Sequence, residues 1–201
     1  MRGRWRTPIA GALLAASVAV WSDNTPTVDP NQFQWIREYL QEYSIVSDGL
    51  AAGSRDILST RMEMHPDPGV AVLSYRRASY TGAGSSSLET QQLIHYTLDL
   101  HRVDPSTVAV QSWPGSNSGA SYWLVRAALR SDEEFVPYTN IFERRLEDGS
   151  VDVTSSRGRV REIVLGYFTE EVLASRLAEN FRDMVERLGG AGSDVEADTA
   201  H

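Results

Sequence analysis

The stretch TEEVLASRLAENFRDMVERLGG, Thr169 to Gly190, constrains this chain more than any other. Leu173, Leu177, Phe181, Met184 and Leu188 recur at spacings of four, four, three and four, with Ala174, Ala178 and Val185 beside them. That is the period of a helix with one apolar face. Thr169 is placed to cap its start, and Glu170 and Glu171 put negative charge on the positive end of the helix dipole. Arg182 and Arg187 fall toward the other end, where Gly189 and Gly190 allow a C-cap. Burying the stripe only has value if it offsets the entropy of ordering the segment, so the helix must dock. All five large stripe residues are expected to be buried, and the remaining question is what they dock on.

From Asp56 to Phe168 the period changes from helix to strand. Ile57–Met64 ends at the turn His65-Pro66-Asp67-Pro68-Gly69, and Val70–Tyr80 ends at the soft loop Gly82 to Ser87. Thr90–Val103 alternates, with Ile94, Tyr96, Leu98 and Leu100 on one face and His95, Thr97, Asp99 and His101 on the other. Further strands are expected at Thr107–Trp113, Tyr122–Arg130, Phe135–Leu146 and Arg159–Tyr167, with brief pairing at Val151-Asp152-Val153. The expected fold is therefore α+β: an antiparallel sheet or small barrel of about seven strands, covered by the C-terminal helix.

Ahead of this region, Asp29-Pro30 reads as an N-cap with proline at the first helical position. Phe33, Ile36, Leu40 and Tyr43 line one side of a short helix, with Trp35 and Tyr39 adjoining; Ser47–Arg55 reads as a connector. Residues 1–20 carry Arg2, Arg4 and Arg6, a short apolar run and the small-x-small triplet Ser17-Val18-Ala19, the pattern of a secretory signal peptide. The run is too short to span a bilayer, so no stable membrane span is expected once the leader is cleaved. The division is thus a signal peptide at 1–20, a linker at 21–29, one globular domain at 30–190 with its strand-rich core at 56–168, and a disordered acidic tail at 191–201. The expected location is the periplasm or exterior of a bacterium.

This order of elements resembles the pleckstrin-homology-like barrel, in which a last helix plugs one open end of seven strands. The likeness covers roughly Asp56 to Gly190 and rests on element order. The closing FRDMVERLGG is similar to the tails of many uncharacterised bacterial proteins. Helix-grip lipid-binding folds, which wrap a sheet around a long C-terminal helix, resemble the same pattern. The barrel likeness implies a headgroup site at basic strand ends. Arg144-Arg145 and Arg157-Arg159-Arg161 are the local basic concentration, but Glu143, Glu147 and Glu162 interleave with them, and we read a mixed-charge solvent face.

Composition excludes several chemistries. The formal net charge is −8 and all 19 basic residues are arginine. Such an acidic chain lacks the clustered positive charge that nucleic-acid binding needs, so no nucleic-acid partner is expected. Cysteine is absent, which removes disulfides, thiolate nucleophiles and cysteine metal sites. No phosphate loop or dinucleotide fingerprint occurs, so no cofactor is expected. Gly115-Ser116-Asn117-Ser118-Gly119 has asparagine where a nucleophile elbow requires serine.

Two groups of side chains remain as candidate sites. His95, Asp99 and His101 share one strand face at alternating positions and are the candidate metal ligands. Trp113, Tyr122 and Trp123 flank the Pro114–Gly119 loop and are the candidate contact with a ligand or partner. The leading functional reading is an exported, non-enzymatic binding or protein-interaction module. The alternatives are a carrier of a small apolar ligand such as a lipid, with a pocket between sheet and C-terminal helix, and a hydrolase with a metal or serine centre near His95, Asp99 and His101.

Overall fold

The computed structural model describes residues 27–50, 54–81, 87–114, 121–131 and 134–189. The expected leader, most of the linker and the acidic tail lie outside the described residues, as do the loops at 82–86 and 115–120. Among the described residues helix α1 (Pro30–Tyr43) comes first. Nine strands follow: β1 (Ile45–Leu50), β2 (Ser54–Met64), β3 (Val70–Thr81), β4 (Ser87–Asp99), β5 (Ala109–Pro114), β6 (Ser121–Ala128), β7 (Val136–Arg145), β8 (Val151–Val160) and β9 (Glu162–Phe168). Helix α2 (Glu171–Gly189) closes the fold. The class is α+β, as expected, with the strands in two antiparallel sheets rather than one. The larger runs β1-β2-β3-β4-β7-β8 and the smaller β5-β6-β9.

The α1 cap forms as its sequence dictates. Asp29 accepts a hydrogen bond from the Asn31 amide at 2.9 Å, and Pro30 occupies the first turn. The buried face is Phe33, Ile36, Tyr39 and Leu40. Tyr39 takes the inward position expected of Tyr43, because its ring stacks on Trp35 at 4.6 Å and its hydroxyl donates to the Leu173 carbonyl of α2 at 3.0 Å. A second tie between the helices runs from Gln32 Nε2 to the Asn180 carbonyl, 3.0 Å.

Helix α2 buries Ala174, Leu177, Ala178, Phe181, Met184, Val185 and Leu188. Its stripe is rotated slightly toward the alanines, so Leu173 is only half-buried at the margin. Thr169 is not the cap: the helix starts at Glu171, and the Ala174 amide bonds the Glu170 carbonyl. The helix lies over β5, β6 and β9 and against α1, while β9 crosses β1 and β2 and joins the sheets. At that crossing Gly166 lets the backbone approach closely. A Cβ there would stand 2.9 Å from Leu40 Cδ2, and the neighbouring Tyr167 amide donates to Ser44 Oγ at 3.0 Å. The core joins both helices to the inner faces of both sheets. Among the described residues no helix is long and apolar enough to cross a membrane.

Several strand expectations change. Ser47–Arg55, read as a connector, contributes β1 and the start of β2. Val151–Val153 begins a ten-residue strand, and Arg159 belongs to that strand, leaving β9 to start at Glu162. The strand expected over Thr90–Val103 ends at Asp99, where the chain enters a 3-10 turn at Leu100–Arg102.

Candidate functional site

One face of the larger sheet packs on the core, and the other is polar. The β2–β3, β3–β4, β4–β7 and β7–β8 registers align Arg61, Ser74, His95, Thr139 and Arg157 as directly opposed neighbours. Strands lie ~4.8 Å apart, so this rung spans about 19 Å from Arg61 to Arg157. His95 is its centre: a half-buried imidazole whose Nδ1 is 2.8 Å from Ser74 Oγ. The next rung sets Ser59, Arg76, Leu93, Ile141 and Ser155 side by side.

Two grooves flank His95. One, of about 400 Å³, is bounded by Thr97, Thr139, Arg157 and Arg159. The other, of about 570 Å³, is bounded by Ser59, Arg61, Glu63 and Arg76. Arg76 is held in place: Nε and Nη2 donate to Gln91 Oε1 at 2.9 and 2.7 Å, and Gln91 Nε2 reaches Glu143 at 3.4 Å. Arg61, Arg157 and Arg159 make no ion pair among the described residues. Arg161, grouped with them in sequence, lies instead over the Phe135 ring at 5.2 Å. The face therefore offers unneutralised guanidinium groups, hydroxyl donors and one imidazole, with Glu63 and Glu143 as its carboxylates. This set suits a ligand carrying negative charge and hydrogen-bond acceptors.

The three candidate metal ligands are not gathered. The 3-10 turn breaks the alternation after Asp99, whose side chain accepts from the His101 amide at 3.1 Å and pairs with Arg102 Nε at 3.1 Å. His101 lies against Gly69, where a Cβ would stand 2.3 Å from its Nε2. Among the described residues no group of three or more histidine and carboxylate side chains is arranged to hold a metal ion.

The aromatic trio separates. Trp113 and Tyr122 are directly opposed on β5 and β6, with ring centroids 6.1 Å apart. Trp123 points the other way and packs on the main core. Tyr122 is only 5% exposed, and its hydroxyl donates to the Ser47 carbonyl at 3.1 Å and faces Asp48 Oδ1 at 3.4 Å. It ties the two sheets together and is closed to a ligand. Trp113 and Tyr167 pack edge to face at 5.7 Å, and Tyr167 meets Tyr75 at 5.5 Å. Behind these rings sit two carboxylates, Asp48 and Asp56, directly opposed across β1 and β2 and only 3% and 4% exposed. Arg77 binds Asp56 with two donors.

Arg61, Ser74, Arg76 and Thr139 come from three strands and lie up to 78 positions apart, so nothing local in the sequence joins them. The signal that joins them is register, which a single strand does not carry. Comparison with known proteins adds no relative: no family model, curated protein or solved structure matches the chain.

Proposed function

We propose that this protein is a non-enzymatic binding module that takes an anionic ligand across the polar face of its larger sheet. The observation that carries this reading is the rung Arg61–Ser74–His95–Thr139–Arg157, with unpaired arginines at both ends and a groove on each side of its centre. In an acidic chain, a cluster of unpaired arginines repels other cations and attracts anions locally, so specificity comes from the cluster and not from net charge. The basic start and short apolar run at the N-terminus support reading the module as exported from a bacterium. The tight seating of Leu177, Phe181 and Met184 favours a surface site over an apolar-ligand pocket beneath α2.

Isothermal titration at low ionic strength against polyglutamate, polygalacturonate and polyphosphate tests the reading. Binding to at least one probe is expected, weakened by salt and by Arg61→Ala with Arg157→Ala. If no probe binds, or if the double variant binds as tightly as the parent, the reading is wrong.

One observation favours a second reading, a serine esterase. Ser74 Oγ and His95 Nδ1 stand at the distance of a nucleophile and its general base. No carboxylate orients His95 among the described residues, so the pair is a dyad at most. A fluorophosphonate probe that labels Ser74, with labelling abolished by His95→Ala, would support this reading; an unlabelled protein would remove it.

A further inference from the structure

Strand β8 is long and contributes little to the core, which it meets through its last residue, the partly buried Val160. Its first seven residues are exposed on both faces, and none of its ten is buried. Its extensive packing is with β7 alone. A hairpin arm of this kind adds little stability, so its length is not explained by folding. Edge strands are normally blunted by bulges, proline or lysine. Here β7 and β8 pair without a register shift from Val136↔Val160 to Arg145↔Val151, whereas bulges do interrupt the β3–β4 and β6–β9 pairs. The sequence VDVTSSRGRV contains no proline, and its first six residues carry a single charge, Asp152. Among the described residues nothing pairs with its outer edge. The result is a regular, open template for one more strand.

We infer that the ligand of the polar face is an extended acidic segment of a partner protein, which adds to the sheet as a strand along the outer edge of β8. The inference rests on reading that face as an anion site. Two periods match. Arg157 and Arg159 are two residues apart on one strand and project on the same face, at a spacing of ~6.6 Å. An added strand with acidic residues at alternating positions repeats its carboxylates at the same spacing, so each meets one guanidinium as the backbones pair. Main-chain hydrogen bonds would supply affinity and the charge pairs the register, as in other cases of strand addition. The 400 Å³ groove bounded by Arg157, Arg159 and Thr139 lies just inboard of this edge, over β7 and β4, within reach of the longer acidic side chains. A second copy of the chain is a poorer occupant. Pairing β8 with itself would bring two more unpaired arginines to a face that already has an excess of them.

The test uses the full chain and a short fluorescent peptide that alternates glutamate with threonine and valine. Companion probes are the same peptide N-methylated on alternate backbone amides, and polygalacturonate. The parent peptide is expected to bind, and N-methylation to weaken it at least about ten-fold by blocking several ladder bonds. Arg157→Ala with Arg159→Ala is expected to weaken it roughly ten-fold, with the circular dichroism spectrum unchanged because both side chains are exposed. Equal binding of parent and N-methylated peptides overturns strand addition and leaves the anion-binding face standing. Binding of polygalacturonate but not of the peptide does the same. Failure of both probes at low ionic strength overturns strand addition, and failure of polyphosphate as well removes the anion-binding reading. A concentration-dependent dimer in sedimentation, abolished by the double variant and not displaced by excess peptide, makes a second copy the occupant and overturns the inference.

Discussion

Arg77 on β3 donates from Nε, at 2.9 Å, and from a terminal nitrogen to a single oxygen of Asp56 on β2, its Oδ2. The other oxygen, Oδ1, is buried with no hydrogen-bond partner among the described residues. Arg77 is half open to solvent, and Asp56 is not. The asymmetry predicts unequal effects of the two truncations. Arg77→Ala strands a buried carboxylate, and is expected to cost roughly 2–3 kcal/mol, less than for a fully enclosed pair because solvent screens the guanidinium side. Asp56→Asn leaves an arginine that water can reach and should cost about half as much or less. Urea unfolding of the two variants and of the double variant checks the order, and the double variant should recover part of the Arg77→Ala loss.

The tyrosines predict a fall in stability at alkaline pH. Burial pushes the Tyr75 phenol up, and the nearby Tyr167 adds to the shift. Burial likewise raises Tyr167, and the nearby Tyr96 adds to the shift; burial also raises Tyr96. Each folded value lies above the unfolded one, so this contribution is complete below about pH 10 and is lost as pH rises toward the folded values. The expected slope is about 1.4 kcal/mol per pH unit for each tyrosine ionised only when unfolded. The chain has no lysine and no cysteine, so tyrosine is the side chain that titrates in that window. Urea midpoints from about pH 9 to 12 should fall steeply for the parent and less steeply for Tyr75→Phe.

Position on α2 sets the cost of truncating its apolar side chains. Phe181 is fully buried and Phe181→Ala should cost about 3–5 kcal/mol. Half-buried Leu173 should cost about 1–2 kcal/mol, and exposed Val172 close to nothing. A shift in the denaturant midpoint with unchanged slope measures each. Equal costs at the three positions would mean that the helix is not seated this way.

Two glycines separate backbone strain from crowding. Gly69 and Gly149 both have left-handed backbone, with φ of 74° and 81°. Around Gly149 a Cβ meets nothing within 4 Å, whereas at Gly69 it would collide with the His101 ring. Gly149→Ala should cost about 1–2 kcal/mol from conformation alone, and Gly69→Ala more. Adding His101→Ala to Gly69→Ala should recover the excess and leave the conformational part. If the two glycine variants are equally stable, the His101 contact has no energetic weight.

Helix α2 was legible in the sequence because Leu177, Phe181, Met184 and Leu188 satisfy one period over about three turns, and a helix carries that period within itself. Asp29-Pro30 was legible for the same local reason. Strand β8 was legible only at its start, Val151-Asp152-Val153, because the rest of VDVTSSRGRV is largely exposed and has no apolar alternation to read. Strand β1 hid a buried carboxylate, Asp48, among small residues that look like a connector. The polar rung around His95 was the least accessible part. Its alternation on β4 was visible, but its neighbours Arg61, Ser74, Thr139 and Arg157 are joined only by strand pairing. The basic pair Arg157 and Arg159 was visible as charge, and only the registry separates it from Arg161.

The hydroxyl of Tyr39 on the first helix closes on the carbonyl of Leu173 on the last, 134 positions away. This contact bears on the order in which the molecule assembles. A chain that emerges from its N-terminus can form the long hairpins of β2, β3 and β4 early and lay α1 against β2, but the apolar faces of α1, β5, β6 and β9 that pack on the last helix have no cover until residues 171–189 arrive. The final step therefore waits for the whole described fold, which makes assembly late, cooperative and slow relative to a helical bundle of the same size. Until then the apolar sheet face is open to aggregation. Nascent chains arrested before Glu171 should be held by chaperones or lost, and should not persist as a smaller folded unit.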